Sequence, residues 1–175
     1  MSTLHPDVCA RCAACGKTCC ELSGGDEEFC FPLSETERQV LLGAGVSETA
    51  FVRVTNSAAF VEQLDHLIPD RGVAEAFAPE GFHWRLATTA AGACIFLAST
   101  GCTLNRDIRP MYCKLFPLWL FQGQLTWFTA DECLANEECC SVIEMLNAMG
   151  ADAAAIRKLF ADMCAALGLR SGKVL

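Results

Sequence analysis

The sequence predicts an α+β protein of small β-hairpins packed with several helices, preceded by a cysteine-rich N-terminal loop. Three observations carry this expectation. Six of the 13 cysteines fall within the first thirty residues, in a stretch with little regular periodicity. Capped segments with apolar residues at helical spacing recur after it. Two short apolar alternations flank glycine-containing turns. At 175 residues the chain is long enough to bury a real core. One domain is expected over 1–175, with the loop at 1–33, a mixed α/β body at 34–135 and C-terminal helices at 136–175.

In the first thirty residues, Gly16, Gly24 and Gly25 mark loop, and such a segment cannot bury a core of its own. Ser34 with Glu37 three residues on forms a capping box, so a helix is expected from there to Leu42, stopping at Gly43. After Ser57, the residues Phe60, Val61, Leu64, Leu67 and Ile68 recur at helical spacing until Pro69. Trp84, Leu86 and Thr88 then alternate, a turn falls at Gly92, and Cys94 to Leu97 is apolar, which reads as a hairpin. Arg109-Pro110 opens a short helix carrying Cys113. Leu118–Phe121 and Leu125–Phe128, on either side of Gln122-Gly123-Gln124, form a second hairpin. Helices are expected from Glu137 to Met149 before Gly150, and from Ala153 to Leu167 before Gly168.

Composition excludes several function classes. A net charge of -8 argues against nucleic acid as a partner, because phosphate recognition draws on basic groups. With 53% hydrophobic and 19% charged residues, the chain is not expected to be disordered. The strongest apolar run, Leu115–Phe121, is seven residues and contains Pro117, whereas a membrane span needs about 20. The first twenty residues hold no continuous apolar stretch, so a cytoplasmic, non-membrane protein is expected. In that compartment, many cysteines mean metal binding or redox chemistry more often than disulfides, and an odd total excludes full pairing.

The strongest metal-site cysteines fall into two blocks. The first is Cys9-Ala-Arg-Cys12-Ala-Ala-Cys15-Gly-Lys-Thr-Cys19-Cys20. Thiolates are soft ligands, and two cysteines separated by two residues turn back readily onto one metal ion. Two such pairs overlap at Cys12. Adjacent cysteines do not easily give ideal angles at one tetrahedral ion, so Cys19 and Cys20 either split between centres or one of them is a packing or redox thiol. The second block is Cys94-Ile-Phe-Leu, Gly101-Cys102 and Arg109-Pro110-Met111-Tyr112-Cys113-Lys114-Leu115-Phe116-Pro117. Cys133, after the second hairpin, is a ninth candidate.

These blocks resemble the bacterial cysteine-cluster proteins of the YkgJ type, described as a zinc- or iron-chelating domain. The elements that match are Cys12 to Cys20, Cys94, Cys102 and Arg109 to Pro117, and the likeness covers residues 9 to about 135. The family pattern has two residues between its cysteine pair and its doublet, whereas Cys15 and Cys19 enclose three. Cys19 and Cys20 are therefore better supported as ligands than any one of Cys9, Cys12 and Cys15. A weaker likeness extends to flagellin lysine N-methylases.

The candidate metal ligands are thus Cys9, Cys12, Cys15, Cys19, Cys20, Cys94, Cys102, Cys113 and Cys133. Arg106, Arg109 and Lys114 are placed to offset the negative charge of such a site, while Arg109 serves equally to hold the turn before Pro110. Metal would then tether the N-terminal loop and contribute folding free energy. A surplus over the four ligands of a zinc site favours several ions or a polynuclear cluster, iron–sulfur included, although the ferredoxin-type spacing is absent. Cys30, Cys139 and Cys164 read as packing residues, and Cys140 stays ambiguous. His5, His66 and His83 are isolated and read as non-ligands, His83 being the only one near the second block. The acidic run Asp26-Glu27-Glu28 carries no expected role. No phosphate loop, dinucleotide fingerprint or Gly-x-Ser-x-Gly elbow is present. Three functions are left: an iron- or zinc-binding protein with a structural or metal-handling role, a metal-dependent protein-modifying enzyme, and a thiol redox protein using Cys12 and Cys15. No catalytic residue, protein partner or oligomeric state is assigned.

Overall fold

Ser34 and Glu37 form the expected reciprocal cap and begin helix α2 (Glu35–Gly43), and Ser57 begins α3 (Ala58–Leu67). The structure, a computed structural model, describes residues 8–15, 18–22, 26–130 and 133–171, without the side chains of Cys9 and Glu27. His5, Gly16, Lys17, Gly24 and Gly25 lie outside the described residues, as do the side chains of those two.

The fold is α+β, with short helices around three separate two-stranded antiparallel ladders. The N-terminal segment departs from the expected loop: Val8–Ala14 forms a helix, α1. A strand β1 (Phe51–Thr55) pairs with β2 (Phe82–Leu86) in the register Phe51↔Leu86 to Thr55↔Phe82. That pairing corrects the first expected hairpin, because Trp84 and Leu86 face β1 rather than Cys94–Leu97. Only the Thr88↔Cys94 bridge survives of the expected ladder. A helical turn, α4 (Val73–Ala76), separates α3 from β2. Leu97–Ala98 (β3) and Gly101–Cys102 (β4) instead form a minimal hairpin of their own.

Pro110 caps α5 (Met111–Leu115) rather than occupying its first turn. The second hairpin forms as expected, from β5 (Leu118–Phe121) and β6 (Gln124–Trp127). Its turn is tighter than expected: Gln122 and Gly123 both take positive φ, 47° and 77°, the geometry of two-residue hairpins. The expected helix from Glu137 to Met149 is broken in two, α6 (Leu134–Glu138) and α7 (Val142–Met149). Ser141 interrupts it by accepting the Glu144 N–H as an N-cap. Gly150 then ends α7 in the left-handed region, and Asp152 caps the last helix, α8 (Ala153–Ala166).

Two buried clusters hold these elements. The larger one gathers Phe60, Leu64, Val73, Leu115, Leu118, Trp119, Met145, Ile156, Phe160 and Met163. The Trp119 ring meets Phe160 edge-on at 4.9 Å, and its indole N–H donates to the Leu67 carbonyl at 2.9 Å, so a large ring is buried with its polar atom satisfied. The smaller cluster joins Leu33, Leu41, Ala50, Phe51 and Leu104. Cys139 and Cys164 are buried in the larger cluster, Cys30 is half-buried and Cys140 is exposed. No helix among the described residues is long and apolar enough to cross a membrane.

His83 is a core residue, stacked on Phe60 at 3.9 Å. Asn56 donates its amide to the Ala78 carbonyl, which fixes its oxygen as the acceptor for His83 Nδ1–H at 2.9 Å. Nε2 is buried without a partner, so a second ring proton has no acceptor. Burial, aided by Arg85, lowers the His83 pKa to about 4. The unfolded chain therefore takes up this proton first as pH falls, and stability is lost between pH 6.5 and about 4. The loss is expected to reach roughly 3 kcal/mol. Urea titrations of the metal-free protein across that range check it: His83→Gln is expected to flatten the pH dependence, and an unchanged slope would contradict this origin.

Candidate functional site

A seven-residue helix is not stable alone in water, so α1 depends on what it docks against. Val8 and Cys12 are its buried residues among those described, and the helix packs on β4 and α6. Gly101 makes the approach to β4 feasible. It sits at φ +103°, which favours glycine, and a Cβ there would stand 3.2 Å from the Ala10 Cα, so a side chain would add crowding to backbone strain. On the other side, Arg11 forks onto Glu138 with two bonds of 2.8 Å.

Residues 18–22 then cross to the second block. The Glu21 N–H donates to the Thr18 carbonyl at 3.0 Å, which makes Cys19 and Cys20 the central residues of a tight turn. The Thr18 hydroxyl accepts from the Cys20 N–H at 3.1 Å, and the Glu21 carboxylate accepts from the Thr18 N–H at 3.1 Å. The Cys20 carbonyl accepts from the Cys94 N–H at 2.8 Å, and Leu22 N–H donates to Gly92 at 3.0 Å. Cysteines seventy-four residues apart are thereby tied backbone to backbone. Glu37 extends its cap role by accepting the Met111 N–H at 2.7 Å, which positions α5 and Cys113.

These segments enclose a cavity of about 130 Å³. Cys12, Cys19, Cys20, Cys94, Cys102, Cys113 and Cys133 all line it, with apolar neighbours such as Leu86, Phe96, Leu104, Phe116 and Met149. Of the nine cysteines proposed from sequence, seven thus share one wall. Cys15 is exposed and is not part of that lining, and the Cys9 side chain lies outside the described residues. Arg109 lines the cavity while donating from Nε to the Leu104 carbonyl at 2.9 Å, so it both holds the turn and brings a positive charge. Arg106 is spent on the Met149 carbonyl at 3.0 Å and Lys114 on the Asp107 carbonyl at 3.2 Å, and neither lines the cavity. His83 is absent from the lining too.

The thiols are not electrostatically equal. A hydrogen bond from Cys19, helped by one from Thr18 and by the Arg109 charge, lowers Cys20 to about 7 against its burial. Burial pushes Cys94 up to about 11, and Cys20, Cys102 and Cys30 add to the rise. Burial also raises Cys113, although part of its surface is accessible, and it raises Cys133. Tyr112, in the cavity wall, is raised by burial with Cys113, Cys19, Cys30 and Cys20 nearby. Cys30, read from sequence as packing, therefore stands within electrostatic reach of the cavity thiols. Its separation from the doublet by ten residues left no spacing signal.

The chemistry of the wall fits a soft metal: thiols dominate its described donors, beside the Thr18 hydroxyl and the Tyr112 phenol, with no carboxylate or imidazole. Among the described residues, however, no three cysteine, histidine or acidic groups are drawn around one point closely enough to hold a single ion. The thiols ring a space instead of converging. Comparison of the chain with family models, with curated proteins and with solved structures finds no match.

Gly101→Ala is expected to lift α1 from β4 and cost about 1–3 kcal/mol through strain and contact. Native-state labelling with a thiol reagent checks it: Cys12 is expected to react faster in the variant. Equal labelling would show that the close approach does not hold the helix.

Proposed function

We propose that the protein binds metal through the thiols around this cavity, and that iron in a polynuclear, iron–sulfur-type centre suits the site better than a lone zinc ion. The observation that carries the reading is that seven cysteines, from segments far apart in sequence, line one cavity of about 130 Å³. A tetrahedral zinc ion with Zn–S near 2.3 Å draws four sulfurs together and leaves no such space. A cavity on the order of 150 Å³ accepts a guest as large as benzene, which suits several metal ions with bridging sulfide.

Cys20, Cys94, Cys102 and Cys113 are the proposed ligands: all four line the cavity, and Cys20 and Cys94 are joined through their backbones. Arg109 offsets part of the thiolate charge. The raised thiols must lose protons when metal binds, so loading releases protons and weakens as pH falls. The likeness of Cys12–Cys20, Cys94, Cys102 and Arg109–Pro117 to the YkgJ-type domain points the same way. Its role is structural or metal-handling. A protein-modifying enzyme is favoured less, because cofactor and substrate pockets run to about 300–1,000 Å³ and this cavity is smaller. For the dithiol reading, Cys12 is buried while Cys15 is exposed outside the cavity, so the pair does not share one environment.

Protein purified without oxygen and without added metal is expected to carry stoichiometric iron and acid-labile sulfide, with visible absorption. Cys102→Ser or Cys113→Ser should lose both, whereas Cys164→Ala should keep them. Metal-free protein with all 13 thiols titrating would overturn the proposal, and a colourless protein holding zinc alone would overturn its iron form.

A further inference from the structure

We infer that Cys19 is an exchange thiol: it stands at the mouth of the cavity and takes over metal from Cys20 during loading and release, so that the centre is built for metal handling rather than as a permanent staple. This rests on the metal-thiolate reading above and chooses between the two roles left open there.

The argument starts from the turn at Thr18–Glu21. Cys19 and Cys20 occupy its two central positions, and neighbouring residues at those positions present their side chains in different directions. Cys20 is pinned at three places: by the Thr18 hydroxyl on its N–H, by the turn itself, and by the Cys94 N–H on its carbonyl. Thr18 is buried and so anchors the turn from beneath. Cys19 is exposed to solvent and yet lines the same cavity as half-buried Cys20. It also lies within hydrogen-bond reach of the Cys20 side chain. One of two adjacent thiols is therefore fixed inside, while the other touches both the site and the solvent.

Vicinal cysteines do not readily share one tetrahedral metal, but they are well placed to exchange it. In the exchange step the Cys19 sulfur bonds to the metal as the bond from Cys20 breaks. The Cys19 proton passes to the departing Cys20 thiolate. Charge and oxidation state are conserved, and no external oxidant or reductant is needed. A competing ligand from solvent then meets the metal on the exposed Cys19 sulfur, beside the backbone-pinned Cys20.

The test is release from the metal-loaded full chain to excess chromogenic chelator, bathophenanthroline disulfonate for iron or pyridylazoresorcinol for zinc. Cys19→Ser and Cys19→Ala are expected to keep the bound metal per chain and its spectrum, and to slow release about tenfold. A small external thiol such as 2-mercaptoethanol should restore the rate in Cys19→Ala, which a merely structural effect would not allow. Unchanged release in both variants would overturn the inference, as would a slowed rate without rescue. Loss of metal from both variants would make Cys19 a ligand instead. A wild-type chain that carries no metal would fail earlier, at the metal-thiolate reading itself.

Discussion

The docking of α1 is the constraint on which the rest of the site depends. Seven residues cannot sustain a helix without tertiary support. Here that support is a backbone contact at Gly101, the burial of Val8 and Cys12, and the Arg11–Glu138 fork. Remove it and the Cys12 end of the wall opens, while the turn holding Cys19 and Cys20 loses the element that precedes it. The exposed ion pair is worth little on its own. Apolar burial and the glycine contact therefore carry most of the attachment, and metal bound across the cavity would add to it.

The body of the protein prepares the opposite wall. Glu37 closes the α2 cap and also fixes the first N–H of α5, so one carboxylate links a helix start to the placement of Cys113. Arg109 gathers the carbonyls of Leu104 and Cys102. Burial raises Cys94 and Cys113, while the hydrogen bond from Cys19 and the Arg109 charge lower Cys20.

Much of this was legible in the sequence where local rules decide structure. The caps at Ser34 and Ser57 and the hairpin around Gly123 rest on short-range hydrogen bonds or positive φ, and their signatures are local. The break between α6 and α7 was legible as well, since Ser141 and Glu144 have capping spacing, but the continuous apolar pattern masked it. α1 and β1 were hidden for a different reason. Their partners are Gly101 and Phe82–Leu86, far along the chain, and long-range pairing overrides weak local preference. The cysteine blocks could be proposed as one site from residue chemistry alone, but not their division of labour. Cys15 outside the cavity, Cys30 beside it, and Cys19 between site and solvent are consequences of the turns.

X-ray absorption at the iron and zinc edges of the purified protein tests the central claim most directly. The account predicts iron with a first shell of sulfur and a clear metal–metal distance beyond it, both lost in Cys113→Ser. A shell of oxygen and nitrogen, or a sulfur shell that survives that substitution, would contradict it.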